Sequence, residues 1–550
     1  MRVTGLLAIL ALALVWVVGS TAATSEEVPP LSATQAATDL DVDALKREAL
    51  VDVDSRSDFT QQMVDMIFSF GELGFQEFET SKYVTDILRE NGFTIEEGIS
   101  GVPTAWMATW GSGRPVISLG ADIDGIPQSS QKPGVAYRDP IVAGAPGHGE
   151  GHSAGQAVNV TAALAVKKIM EREGIPGTLK LWPGVAEEQL GTKAYFVRDG
   201  YFEDVDAVIF THISTNLSTG WGSDGSNGLV SVEYLFEGES AHGAGSPWDG
   251  RSALDAVELM NVGWNYRREH LPITQRSHYV VTDGGDQPNV VPPTASVWYY
   301  LREWDYENIR RMWDIANNIA DGAALMTDTE VSQRLLGSAW PRHMNKTLGE
   351  TMHANMELVG MPEWSEEDQQ LARAVQRLFD IDDPPGLPTT VGRLGPHVPD
   401  DERRGGGSDE IGDVSWNVPT VRLSYPANIS GGPGHHWNRS IAMATPIAHK
   451  GTTIGAKAAA ATVIDLLLRP ELIESAWDYF RNEQTPGVEY SPFPSAETTP
   501  AIWLNKEIMD RYRPEMRKYY FDPSRYETYM EQLGVSYPML EPPSGSSRQP

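Results

Sequence analysis

The chain has 550 residues, 41% hydrophobic and 21% charged, which suffices for more than one domain with its own core and is ordinary for a globular protein. A formal charge of −32 argues against nucleic acid and anionic membrane surfaces as partners, since both would repel it. No cysteine occurs, so the fold does not depend on disulfides and a lipid anchor through an N-terminal cysteine is excluded.

Residues 1–23 stand apart from the rest. Arg2 gives a short basic start, Leu6 to Val18 an apolar run too short to span a bilayer, and Ser20 to Ala23 a small-residue cleavage region. That pattern predicts a secretory signal peptide and a periplasmic or secreted protein, with an uncleaved anchor as the alternative reading.

Gln61 to Glu90 has a helical pattern; apolar strands follow at Thr104–Trp110 and Val116–Ala121, a helix at Ala157–Glu171, and strands at Thr178–Trp182 and Ala207–Phe210. This alternation predicts an α/β domain, a mostly parallel sheet with helices on both faces, and ligands where strands end. Asp122, Asp124, Glu187, Glu188 and His212 all fall at such ends. From Leu229 the order becomes strand, helix, two strands, helix, strand. That βαββαβ block predicts an inserted α+β domain over residues 228–340, interrupting a catalytic domain that spans 45–227 and resumes over 341–470. Asp382 to Gly407, rich in Pro, Gly and charge, reads as a surface loop. The strand TVRLSYPAN, the loop SGGPGHHWN and a helix from Ile447 to Leu468 complete the core, and residues 471–550 read as an extended wrap.

Three pieces carry chemistry: GHGEGH at 147–152, the pair Glu187–Glu188 in VAEEQ, and His212 in DAVIFTH. Glu150 and His152 are two apart, so on a turning loop both can face one ion, whereas a helix would splay them. Adjacent carboxylates repel unless a cation or a shared proton relieves them. Neutral imidazoles and anionic oxygens as ligands, with one carboxylate left over as a base, are what a zinc-type hydrolase needs. Taken singly, each has an ordinary explanation: a Gly-rich loop, a solvated pair, a capped strand end. A rival motif overlaps the first piece. Gly151 to Gly155 matches the GxSxG elbow, making Ser153 a nucleophile with Asp413 and His435 as later partners, but the segment before it is loop rather than the strand an elbow needs. A third reading is a non-catalytic receptor for small peptides.

GELGFQEFETSKYVTDILRENGF, ADIDGIP, GHGEGH, VAEEQLGTK, AHGAGSPWDGRSALDAVELMN, QPNVVPP, GSDEIGDVSWNVPT and GPGHHW, in order over about residues 60–470, closely resemble the metal-dependent amidohydrolases of the aminoacylase and carboxypeptidase G group. Within it the likeness is to the aminobenzoyl-glutamate hydrolase B branch and the hippurate and auxin-conjugate hydrolases. The resemblance implies a zinc-exopeptidase-like catalytic domain and an inserted lid and dimerisation domain, hence a homodimer. It implies two divalent ions, Zn or Mn, on Glu150, His152, Glu188, His212 and His435, with Glu187 as general base and His435 rather than His436 as the ligand. It also places His242 at the oxyanion, Asn289 on the substrate and Asp124 behind a ligand histidine. Glu150 departs from the pattern, since relatives usually carry cysteine there; an oxygen donor in place of a thiolate favours Zn or Mn over softer ions. The implied substrate is a small N-acyl or N-aroyl amino acid or peptide. His278 on a lid strand has two readings, cleft or sheet surface, and His449 and Lys450 are given no chemistry.

Overall fold

The computed structural model describes residues 40–542, so the expected signal peptide lies outside the described residues. Helices α1 (Val42–Ser55), α2 (Ser57–Phe70) and α3 (Phe78–Glu90) precede strands β1 (Thr94–Glu97), β2 (Trp106–Ser112) and β3 (Val116–Asp122). The stretch predicted as one helix over 61–90 is therefore two. Gly71 takes a left-handed φ of 54° and ends α2, as glycine after a helix commonly does, and the connection folds inward to bury Glu72 and Glu77.

After the GHGEGH loop come α4 (Gly155–Glu173), β4 (Gly177–Gly184), α5 (Lys193–Arg198) and β5 (Ala207–Ser214). The six-stranded sheet has the order β1-β2-β4-β3-β5-β10, with β4, β3, β5 and β10 (Thr420–Pro426) parallel and β1 and β2 antiparallel at one edge. Every residue of β3 is buried, as a central parallel strand covered on both faces requires. Because β4 lies on one side of β3 and β5 on the other, the chain reverses direction across the sheet there, opening a crevice at the strands' carboxyl ends.

The inserted segment contains β6 (Gly228–Glu237), α6 (Ala253–Arg268), β7 (Arg276–Asp283), β8 (Thr294–Glu303), α7 (Tyr306–Thr327) and β9 (Glu330–Ala339). Its strands form a separate antiparallel sheet, β7-β8-β6-β9. Trp264, Tyr299, Met312 and Ala320 belong to its own core. The chain then returns through α8 (Lys346–Val359), α9 (Glu366–Leu378), α10 (Ile411–Ser415) and β10 to α11 (Pro446–Leu468). α11 is apolar enough to cross a membrane, yet 89% of its most apolar stretch is buried among α4, α1, α8 and β10, so it is the core helix of this fold. The C-terminal region differs from the extended wrap predicted for it. It contains α12 (Pro470–Tyr479), α13 (Lys506–Met516) and α14 (Tyr529–Gln532), joined by loops that pack on the catalytic domain.

Candidate metal centre

The crevice at the end of β3 is where the chemistry-bearing residues meet. Asp122 closes β3 and Asp124 follows it, fully buried. The GHGEGH loop turns onto β5 at Gly151, whose φ of 116° and close approach exclude a side chain: a Cβ there would lie 2.5 Å from Ile213, beside His212. His212 sits within β5 rather than at its end, with Nδ1 2.8 Å from the Ile213 carbonyl.

Asp124 organises the ligand set. One oxygen lies 3.1 Å from His152 Nδ1 and the other accepts the Glu188 backbone N–H at 3.0 Å. A carboxylate is acceptor-only, so His152 carries its proton on Nδ1 and turns the Nε2 lone pair into the crevice. That buried Nε2 has no hydrogen-bond partner, and neither has Glu188 Oε1. Two orphaned donor atoms in one polar crevice fit a cation, because a buried polar atom otherwise finds a protein partner. His435 Nε2 lies 3.4 Å from Glu188 Oε2 and 3.8 Å from Glu150 Oε2. The rings of His152 and His212 are 5.4 Å apart. All five residues named as ligands from the sequence are thus drawn together, and three imidazoles with two carboxylates suit a divalent ion such as Zn or Mn.

Glu187 stands beside them, with a carboxylate oxygen within 4.8 Å of donor atoms of both His152 and Glu188. Burial first, then Asp122 and Asp409, push its pKa well above the ordinary carboxylate range. Burial pushes Glu188 the same way. Burial opposes charge on His152, but the Asp124 hydrogen bond and the surrounding carboxylates outweigh it and raise the ring's pKa well above normal. His212 is lowered by burial and by Arg422 and His152. Positive charge is thus favoured at His152, where a metal ion would supply it in place of a proton.

The turn carrying the pair is strained. Ala186 (φ 54°) and Leu190 (φ 57°) bracket Glu187–Gln189 in left-handed backbone, which costs on the order of 1–3 kcal/mol for each non-glycine residue and persists only where neighbours over-determine it. The restraints are specific. Buried Glu77 accepts the Ala186 N–H at 2.9 Å, and the Leu190 carbonyl accepts the Ser338 N–H of β9 at 2.9 Å, so the inserted domain touches this turn directly.

Several residues at the site escaped the sequence reading. Lys193 is completely buried, and its ammonium lies 2.7 Å from Asp122, 3.2 Å from Asp409 and 3.1 Å from Glu410. Asp122 also has an oxygen within 4.8 Å of ring nitrogens of His152 and His212. Removing the lysine would strand buried carboxylates, at roughly 3–5 kcal/mol. Arg302 and Tyr300 reach the pair from β8: buried Tyr300 feels the charges of Glu187 and Glu188, and Arg302 lies 5.4 Å over its ring and donates to Ser408 at 3.0 Å. The available signals were the lysine in GTK, the DE pair in GSDE and the alternation along ASVWYYLRE.

His242 and Asn289 meet each other, not the cluster. His242 is exposed and pairs with Val290 across two loop segments; its Nδ1 accepts the Ala244 and Gly245 N–H groups at 3.1 and 3.0 Å, while the Asn289 carbonyl accepts the Gly243 N–H at 2.8 Å. Among the described residues, no hydrogen bond or ion pair joins either to the metal ligands. His436 places Nδ1 2.6 Å from Asn438, whereas His435 faces the carboxylates. His278 is exposed on β7, His449 lies 2.6 Å from Asp65, and Lys450 pairs with Asp368.

The nucleophile-elbow arrangement is absent. Ser153 is fully buried, Asp413 accepts from Trp340 and Tyr490, and His435 is engaged with Glu150 and Glu188.

Fold and crevice together mark the chain as a metal-dependent hydrolase with an inserted lid. No family model matches it. It is 32% identical over 434 residues to p-aminobenzoyl-glutamate hydrolase B of Escherichia coli, covering 75% of this chain and 90% of that one. It is 26% identical to the Xaa-Arg dipeptidase of Mus musculus over 83% of this chain and 96% of that one. Against the indole-3-acetyl-aspartic acid hydrolase of Enterobacter agglomerans, 26% identity spans 49% and 72%. An aminobenzoyl-glutamate utilization protein from Klebsiella pneumoniae shares the fold, with a TM-score of 0.51, 18% identity and coverage of 78% and 98%. The chain belongs to the family of p-aminobenzoyl-glutamate hydrolase B, the metal-dependent amidohydrolases of the aminoacylase and carboxypeptidase G group.

Proposed function

We propose that this protein is an exported amidohydrolase that cleaves the amide bond of N-acyl or N-aroyl amino acids or small peptides. The observation carrying the proposal is the pair of orphaned donors, His152 Nε2 and Glu188 Oε1, aimed by one buried aspartate into a crevice that Glu187 also lines. Glu150, His152, Glu188, His212 and His435 would hold two divalent ions, Zn or Mn. When bound, such ions polarise a carbonyl and lower the pKa of water toward neutrality.

The protein's own groups perform the rest. Glu187, adjacent to the ligands but assigned to none of the ions, takes the proton from the attacking water and delivers it to the leaving amine. Its raised proton affinity suits a group that must hold that proton between the two steps. Arg302 brings a cation beside the pair for an anionic end of the substrate, and Tyr300 an aromatic wall. His242 and Asn289, exposed on the lid, act when the lid closes or when a second copy presents them: His242 on the oxyanion, Asn289 on the substrate's carboxylate end.

The names of the relatives, an aminobenzoyl-glutamate hydrolase, an Xaa-Arg dipeptidase and an indole-3-acetyl-aspartic acid hydrolase, each denote an amide or peptide bond to an amino acid and support that substrate class. Edge strand β7 exposes Tyr279, Val280 and Val281, which supports a homodimer through the lid. The basic, apolar and small-residue pattern of residues 1–23 supports export to the periplasm or medium. The test is metal analysis of the purified protein with a panel of N-acyl amino acids, aroyl-glutamates and dipeptides. A chelator should abolish turnover, Zn or Mn should restore it, and Ser153→Ala should leave it unchanged; activity that survives chelation and dies with Ser153 would overturn the proposal.

A further inference from the structure

After α12 the chain crosses the inserted domain and returns to the catalytic turn. The Ser491 carbonyl accepts the Trp340 indole N–H at 2.9 Å, and Phe493 lies 4.9 Å from the Tyr306 ring. Trp503 then takes the Arg334 guanidinium of β9 over its ring at 5.1 Å. Two residues later, Asn505 Nδ2 donates to the Gly74 carbonyl at 3.0 Å and to Gln189 Oε1 at 3.2 Å.

Asn505 stands at the N-cap of α13, where an asparagine ordinarily spends its side chain accepting from the helix's first N–H groups. Here it makes no such cap. Its backbone is left-handed, φ 62°, and its amide is directed away from the helix to the turn. The approach is anchored on both sides: Gln76 Nε2 donates to the carbonyls of Ile502 and Leu504 at 3.3 and 3.1 Å, and Arg513 of α13 pairs with buried Glu72.

What Asn505 grips is the residue that follows the glutamate pair. Gln189 is packed closely on two sides, since a Cβ on Gly74 would lie 2.0 Å from its Oε1 and a Cβ on Gly337 2.2 Å from its carbonyl oxygen. With left-handed residues at both ends of the turn, the direction of Glu187 depends on what restrains Gln189.

We propose that Asn505 is a positioning residue: from the C-terminal region it holds Gln189, and through it the Ala186–Leu190 turn, so that Glu187 keeps its working orientation. This rests on the amidohydrolase reading of Glu187.

The experiment uses the full-length, metal-loaded protein with Asn505→Gly, which keeps the left-handed backbone at no steric cost and deletes only the amide. A second variant, Asn505→Asp, sets a carboxylate against the two acceptor oxygens. Amide hydrogen exchange over residues 186–191 should accelerate about tenfold in both. The value of kcat should fall at least about fivefold while KM and metal content stay within about twofold. In a double-mutant cycle with Gln189→Ala the losses should fall well short of additive, because both changes remove one contact.

Unchanged exchange over 186–191 would overturn the proposal, as would a drop in kcat matched by equal loss of bound metal. A wild-type protein that turns over no amide of the panel, yet whose turn loosens in Asn505→Gly, would refute the hydrolase reading while leaving the grip of Asn505 on the turn established.

Discussion

Replacing Asp124 with asparagine tests the logic of the metal centre with almost no change of shape. Asp124 accepts two N–H groups, from His152 Nδ1 and from the Glu188 backbone. An asparagine offers one oxygen and one NH₂, so it can satisfy only one of them. If its oxygen stays on the Glu188 N–H, its NH₂ faces His152 and forces the ring to accept at Nδ1. The proton then moves to Nε2, the atom a metal would need. If its oxygen turns to His152, the Glu188 N–H confronts a donor and is left unpaired, at roughly 1–3 kcal/mol. Either way metal affinity should fall by about 10- to 100-fold, or ~1.4–2.7 kcal/mol, the usual cost of losing a carboxylate behind a ligand histidine. A chelator-competition titration with Zn reads that shift directly. Affinity within about twofold of wild type would refute the argument that Asp124 sets the His152 tautomer.

The remaining predictions separate the roles of other groups. Glu187→Gln should keep its metal content and lose about 10²- to 10⁴-fold in kcat, whereas Glu150→Ala should lose metal; elemental analysis beside steady-state rates checks both, and the reverse pattern would exchange the two assignments. His242→Ala should lower kcat far more than it raises KM, because an oxyanion contact exists mainly in the transition state; an unchanged kcat would make His242 a surface residue of the lid. Burial raises Asp413, which accepts from Trp340 and Tyr490, to about 7. An acid whose folded pKa exceeds its unfolded value of about 4 gives stability that is full below that value and lost as pH rises through the folded one. The Tm of Asp413→Asn minus that of wild type should therefore increase from pH 5 to pH 8, and a constant difference would contradict the sign.

The sequence by itself determined the parts of this protein that depend on local pattern. Apolar runs bounded by turn residues located β3, β4, β5 and β10, and the period change after Leu229 located the βαββαβ insertion, because strands and helices announce themselves by periodicities of two and 3.6. The ligand set was legible for the same reason: Glu150 with His152, the glutamate pair and His212 each lie in or beside such a run. Where a short-range cue was overlooked the reading failed, as at Gly71, which divides the stretch read as one helix.

Tertiary structure alone decided the rest. Lys193 and Asp409 are 216 residues apart, and nothing in either segment says that one ammonium will neutralise Asp122, Asp409 and Glu410 inside the sheet's crevice. Asn505 and Gln189 are separated by 316 residues, and an asparagine at the start of a helix reads as a cap until the fold gives its amide another acceptor. His242 shows the converse: its motif was readable, but its distance from the metal ligands is set by the lid's orientation. Patterns of two to four residues encode which face of an element is buried, whereas the pairing of buried charges is fixed by which elements the hydrophobic core brings together.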